Sequence, residues 1–245
     1  MNQTINALVL LILPLITAFV LFNSCRYLFG AVIYNHGIAR RAYALFGLVG
    51  TPIHELSHLI AALLFRHRIT GIKLFSWRSS AYISHSYNSR STYQTTGTFF
   101  IAIAPFVSSI VIIHALSLSQ FNTSLDLAAD PFTTSMQAIK VAPEIFQSFI
   151  LESSFSEIAF VTMLSFYCVP SNTDFHNAVR SGILATPILV ALVFVATTLF
   201  ESMNEIVGTV MMIGIFSSVT AVVWWVGLFF ITFIPTSNYG VKYNE

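Results

Sequence analysis

The chain has 245 residues, of which 56% are hydrophobic and 9% charged, with a formal net charge of +1. Soluble domains carry about a quarter charged residues, so this composition excludes an ordinary soluble globule and points to a polytopic membrane protein in a lipid bilayer. It offers no basic stripe for a nucleic-acid partner, and the distant pair Cys25 and Cys168 reads as inert buried thiols rather than a disulfide framework.

Runs of about 18 or more apolar residues read as membrane spans. They occur at about 6–25, 42–65, 96–118, 183–200 and 208–234, and a shorter run at about 155–169 brings the expected count to about six. The first run lacks a basic flank and an A-x-A site, so it reads as a span rather than a signal peptide. In the second, Gly50-Thr51-Pro52-Ile53 predicts a kink or a restart, with Thr51 as N-cap and Pro52 at the first helical position. Residues 71–77 and 81–87 alternate and carry aromatic or β-branched side chains, which predicts a small membrane-surface hairpin turning at Arg78-Ser79-Ser80. Such an edge can accept an extended segment by strand addition. The third span holds Ala102 to Ser109, small residues suited to close packing, and Pro105, which bends a helix or frees a carbonyl.

The longest gap, about 119–154, is loop-sized. Ser154-Phe155-Ser156-Glu157 has capping-box spacing and starts a helix near 155. That helix stops at Cys168-Val169-Pro170-Ser171-Asn172-Thr173-Asp174, where two readings stand together. A carboxylate at a broken apolar helix suits a metal or substrate site. Ser171 and Asp174 equally suit a capping pair for a short helix ending near Gly182. Glu201 and Glu205, four apart, read as a solvated face. No gap could hold a further domain, so 1–245 reads as one membrane domain of all-α class with a small hairpin, its core at about 42–182 and additional helices over 183–234. Arg26, Arg40, Arg41 and Lys140 fall on one side of the spans. Arg66, Arg68, Lys73, Arg78, Arg90, Arg180 and Lys242 fall on the other, which places both termini and the 66–95 segment in the cytoplasm.

The chemistry gathers at His54-Glu55-Leu56-Ser57-His58. On a helix, residues four apart share a face, so both imidazoles can turn to one ion. Chance supplies this pattern about 0.006 times in a chain of this composition. Glu55 is offset from the ligand face and is free to take a proton from an activated water. A catalytic zinc needs about three protein ligands and an open position. The third comes from Asp174, His176, His85, His114, Glu144, Glu152 or Glu157. Asp174 leads, because a lone carboxylate at a helix break in apolar surroundings is otherwise costly. His36, His67 and His85 read as surface or interfacial, and His114 as a packed core imidazole.

In this order of elements the chain resembles the site-2 protease family of intramembrane zinc metalloproteases, as a distant and minimal member. The resemblance covers roughly 45–180: the motif at 54–58, the strands at 71–87, Pro105-Phe106-Val107-Ser108 in place of a G-P-x-x-N-like element, then Asp174. Ala104 stands where the family has Gly, Ser108 where it has Asn, and Phe175 follows Asp174 in place of Gly. The resemblance implies Zn2+ held by His54, His58 and Asp174, Glu55 as general base, and cleavage of a membrane protein or peptide substrate within or beside the bilayer of a bacterial inner membrane. A membrane metal transporter or sensor, and a degenerate protease-like scaffold, are the competing readings. Neither has need of a base at Glu55.

Overall fold

The computed structural model describes residues 2–76, 81–167 and 169–235, so the expected turn at Arg78-Ser79-Ser80, with Trp77, Cys168 and Lys242, lies outside the described residues. The apolar runs form helices because only intrasegment hydrogen bonding satisfies a backbone surrounded by hydrocarbon. The elements, in chain order, are α1 (Asn2–Asn35), α2 (Gly37–Leu64), β1 (Arg68–Lys73), β2 (Tyr82–Ser86), α3 (Thr92–Ser117), a 3-10 turn (Leu118–Phe121), α4 (Pro131–Glu152), α5 (Phe155–Tyr167), α6 (Asn172–Leu199) and α7 (Met203–Ile231).

Five helices, α1, α2, α3, α6 and α7, are long and apolar enough to cross a membrane. The sixth expected segment is α5, whose 13 residues rise about 20 Å against a hydrocarbon core of about 30 Å. The gap read as loop contains α4, a correction with a clear cause. Asp130 caps it by accepting from the Phe132 and Thr133 N–H groups at 3.0 Å each, with Pro131 at the first position. Its buried residues are Thr134, Ser135, Ala138, Ala142 and Phe149, while Gln137, Lys140 and Glu144 are exposed, so the helix is amphipathic and holds no unbroken apolar run of span length.

Two further expectations are corrected. Helix α2 runs unbroken through Thr51 and Pro52 and begins instead at His36, whose ring accepts the Ala39 N–H at 3.3 Å. Pro52 deletes one hydrogen bond, while Tyr167 packs so closely that a Cβ on Gly50 would lie 2.3 Å from its Cβ. Neighbouring packing of this kind holds a proline-containing membrane helix together. Nor does a short helix end near Gly182. Helix α6 continues to Leu199, and the expected span at 183–200 is its second half.

Helices α1 and α7 form the most extensive pair. Gly214 makes their approach possible, since a Cβ there would sit 2.1 Å from the Pro14 Cβ. Above this contact Trp225 is buried among Phe22, Tyr43 and Phe166, with ring centroids 5.6–5.8 Å away. The antiparallel β1–β2 ladder runs from Arg68 opposite Ser86 to Lys73 opposite Tyr82, with an irregularity between Ile69 and Gly71. It follows the end of α2 directly and so stands over the motif-bearing turn.

Gly214→Ala is expected to lower stability by about 1–3 kcal/mol through overpacking against Pro14. The measurement is the denaturation midpoint of the protein in detergent micelles, and an unchanged midpoint would contradict the α1–α7 approach.

Candidate metal centre

His54 and His58 project from one face of α2, and each ring is fixed by a backbone carbonyl. His54 Nδ1 lies 2.8 Å from the Tyr167 carbonyl, and His58 Nδ1 lies 2.8 Å from the Ile101 carbonyl. A carbonyl only accepts, so both rings carry their proton on Nδ1 and present a lone pair at Nε2.

Both carbonyls are ones that helix geometry leaves without a regular partner. The Ile101 oxygen would receive the N–H of the residue four positions on, which is Pro105 and has none. The Tyr167 oxygen ends α5, and the N–H four positions on belongs to Ser171. That N–H is instead given to the Asp174 carboxylate at 2.9 Å. Each imidazole therefore occupies a vacancy in a neighbouring helix's hydrogen-bond ladder.

Asp174 fills both roles that its sequence context allowed. Its Oδ2 accepts from the Ser171 N–H and from the Ser171 Oγ at 2.6 Å, while Ser171 Oγ accepts the Asp174 N–H at 3.2 Å, a complete capping box. The same carboxylate faces the histidines. Oδ2 lies 3.6 Å from His54 Nε2, and Oδ1 lies 3.4 Å from His58 Nε2. The two Nε2 atoms are 3.1 Å apart.

Three lone-pair donors thus converge, with both neutral rings having spent their protons elsewhere. Mutual repulsion must be offset by positive charge between them, either an added proton or a metal ion. One ligand atom from each residue lies within 4.8 Å of the others, and His54, His58 and Asp174 form a group that can hold a metal ion. Two imidazoles and a carboxylate match the three-ligand set of open, catalytic-type sites. Such a set also accepts other first-row divalent ions.

Glu55 stands beside this group, buried to 8% exposure. Two cavities reach the centre. One of about 330 Å³ touches His58 and Asp174, and another of about 510 Å³ touches His54 and Glu55.

The other sequence candidates do not join the group. His176, Glu144, Glu152 and Glu157 are exposed. His114 is an exposed ring lining a separate cavity with Glu205, not a packed core imidazole. His67, expected at the interface, is buried and pairs with His85, Nδ1 to Nδ1, at 3.0 Å. Its Nε2 donates to the Gln94 carbonyl at 2.9 Å. Burial, with His67 and His58 nearby, holds the His85 imidazole below its ordinary pKa and keeps it neutral near pH 7. Ala104 and Ser108 line an apolar groove with Ile60 and Leu64, so in this helix the contact to the centre is the Ile101 carbonyl. Sequence reading missed Ile101 and Tyr167 because their contribution is backbone. The available signal was Pro105, four residues beyond Ile101.

Comparison with protein-family models, curated proteins and solved structures gives no match to this chain. The functional reading rests on the geometry above.

Asp174→Asn is expected to weaken divalent-metal binding by at least about a hundredfold, as loss of a charged ligand. Pro105→Ala, which gives the Ile101 carbonyl a competing N–H, is expected to weaken it by about tenfold. Chelator competition on the purified protein in detergent measures both. Equal affinity in wild type and Pro105→Ala would remove the carbonyl's role in orienting His58.

Proposed function

We propose that the chain is a multi-pass intramembrane zinc endopeptidase of the site-2 protease type, cleaving a membrane-embedded or membrane-adjacent peptide segment. The observation that carries this reading is the convergence of His54, His58 and Asp174 with a buried carboxylate, Glu55, immediately beside it. The proposal includes six crossings, the five long helices and α5, and a bacterial inner membrane with both termini in the cytoplasm.

His54 Nε2, His58 Nε2 and the Asp174 carboxylate would hold the ion. A bound Zn2+ supplies Lewis acidity, which polarises the scissile carbonyl and makes water a competent nucleophile near neutral pH. Glu55 takes the proton of the attacking water and delivers it to the leaving amine nitrogen, breaking the C–N bond. Ser171 keeps the Asp174 carboxylate aimed at the histidines through its hydroxyl. The substrate must be unwound at the cleaved bond, because a helical peptide group is shielded by its own backbone hydrogen bonds. β2 offers an edge for the extended stretch.

A metal conduit or sensor would use the two histidines equally well and has no need of a base at Glu55. Glu55→Gln is therefore the deciding change. Purified protein in detergent, given a mixture of peptides, is expected to create new N-termini detectable by mass spectrometry. In Glu55→Gln the rate falls by at least about a hundredfold, while bound zinc stays at the wild-type level. Chelation abolishes cleavage and Zn2+ restores it. Cleavage at the wild-type rate by Glu55→Gln would sink the reading.

A further inference from the structure

The two cavities at the centre share no lining residue, and both extend to arginines. The first passes from His58 and Asp174 to Arg180, with Asn177 and Thr98 on its wall. The second passes from His54 and Glu55 to Arg26 and Arg40. Apart from Asp174 and Glu55 at the centre itself, neither cavity is lined by an acidic residue. Among the described residues, no carboxylate forms an ion pair with any of these three arginines.

The helix dipoles do not account for their charge. Arg40 lies in the first turn of α2, where the helix dipole opposes a cation. Arg26 and Arg180 lie inside α1 and α6, away from the C-terminal turns where the dipole would favour them. All three sit on helices apolar enough to cross a membrane. All three side chains are exposed, so their guanidinium heads are open to a group entering the cavities.

We propose that these arginines read carboxylate side chains on a substrate, so that the segment entering the site is extended and acidic on both sides of the bond to be cut. The proposal rests on the endopeptidase reading above and names its substrate class. The guanidinium fork donates two parallel hydrogen bonds to a carboxylate. Asn177 and Thr98 supply neutral partners for the main chain beside Arg180. A basic segment is rejected at either end by like charge.

The test uses the zinc-loaded Glu55→Gln protein in detergent, so that binding is read without cleavage. Three fluorescent peptides share one apolar sequence and carry Glu, Gln or Lys at both flanks. The Glu peptide is expected to bind at least about tenfold tighter than the Gln peptide, with the difference shrinking as salt rises. Added Arg180→Gln, or Arg26→Gln with Arg40→Gln, removes much of that preference, and Arg180→Glu shifts it toward the Lys peptide. Amidating the peptide C-terminus leaves the preference in place. Loss on amidation would assign the arginines to a terminal carboxylate and overturn the proposal. Equal affinity for the three peptides would also overturn it. So would arginine variants that lose phosphatidylglycerol vesicles but keep the peptides. Acidic peptides that bind but are never cut by wild type would sink the endopeptidase reading and leave this recognition standing.

Discussion

Two hydrogen bonds from imidazole Nδ1–H groups to backbone carbonyls hold the organisation of this site. Each fixes a tautomer, and with it the direction of the remaining lone pair. The carbonyls are available because the helices that own them are interrupted, by a proline at 105 in α3 and by the end of α5 at Tyr167. An unpaired carbonyl inside an apolar bundle costs about 1–3 kcal/mol. An unpaired imidazole N–H would cost a similar amount. Bringing each to the other removes both penalties and leaves three lone-pair donors facing one point.

The capping box at the start of α6 extends the same logic. Ser171 gives its N–H to Asp174 and so cannot give it to Tyr167, and that leaves the Tyr167 carbonyl for His54. One local device therefore starts a helix, aims a carboxylate and frees an acceptor. The cost falls on the centre itself, where two rings and a carboxylate crowd together and need positive charge between them. Cation binding relieves that crowding, so the arrangement is poised for a metal rather than indifferent to it. The hairpin reaches the centre through Ile83 and His85, which line a cavity with His58 and Asp174. A two-stranded element at the surface of the helical bundle thus stands beside the metal-holding group.

Legibility in the sequence followed hydrophobic contrast. The long apolar runs became helices, and the spacing of His54 and His58 put both rings on one face. Helix α4 escaped because Gln137, Lys140 and Glu144 interrupt its apolar residues, so it contains no apolar run of span length. The expected break at Pro52 did not form, because a lost hydrogen bond is a local cost and the packing of Tyr167 against Gly47 and Gly50 is a tertiary gain. His67 and His85 looked like surface residues until their pairing beneath Tyr87 brought one of them into the interior.

The sequence by itself determined that this chain is helical and apolar, that two histidines share a helical face, and that Ser171 and Asp174 can cap a helix. These follow from periodicity and from side-chain reach over a few residues, which are local properties. Only the tertiary structure decided that Asp174 meets those histidines, that Ile101 and Tyr167 orient them, and that arginine-ended cavities reach the centre. The separations are the reason. His58 and Ile101 lie 43 positions apart and His54 and Tyr167 lie 113 apart. No periodicity links such residues, and only the packing of α2 against α3 and α5, with α6 against α3, brings them to one point.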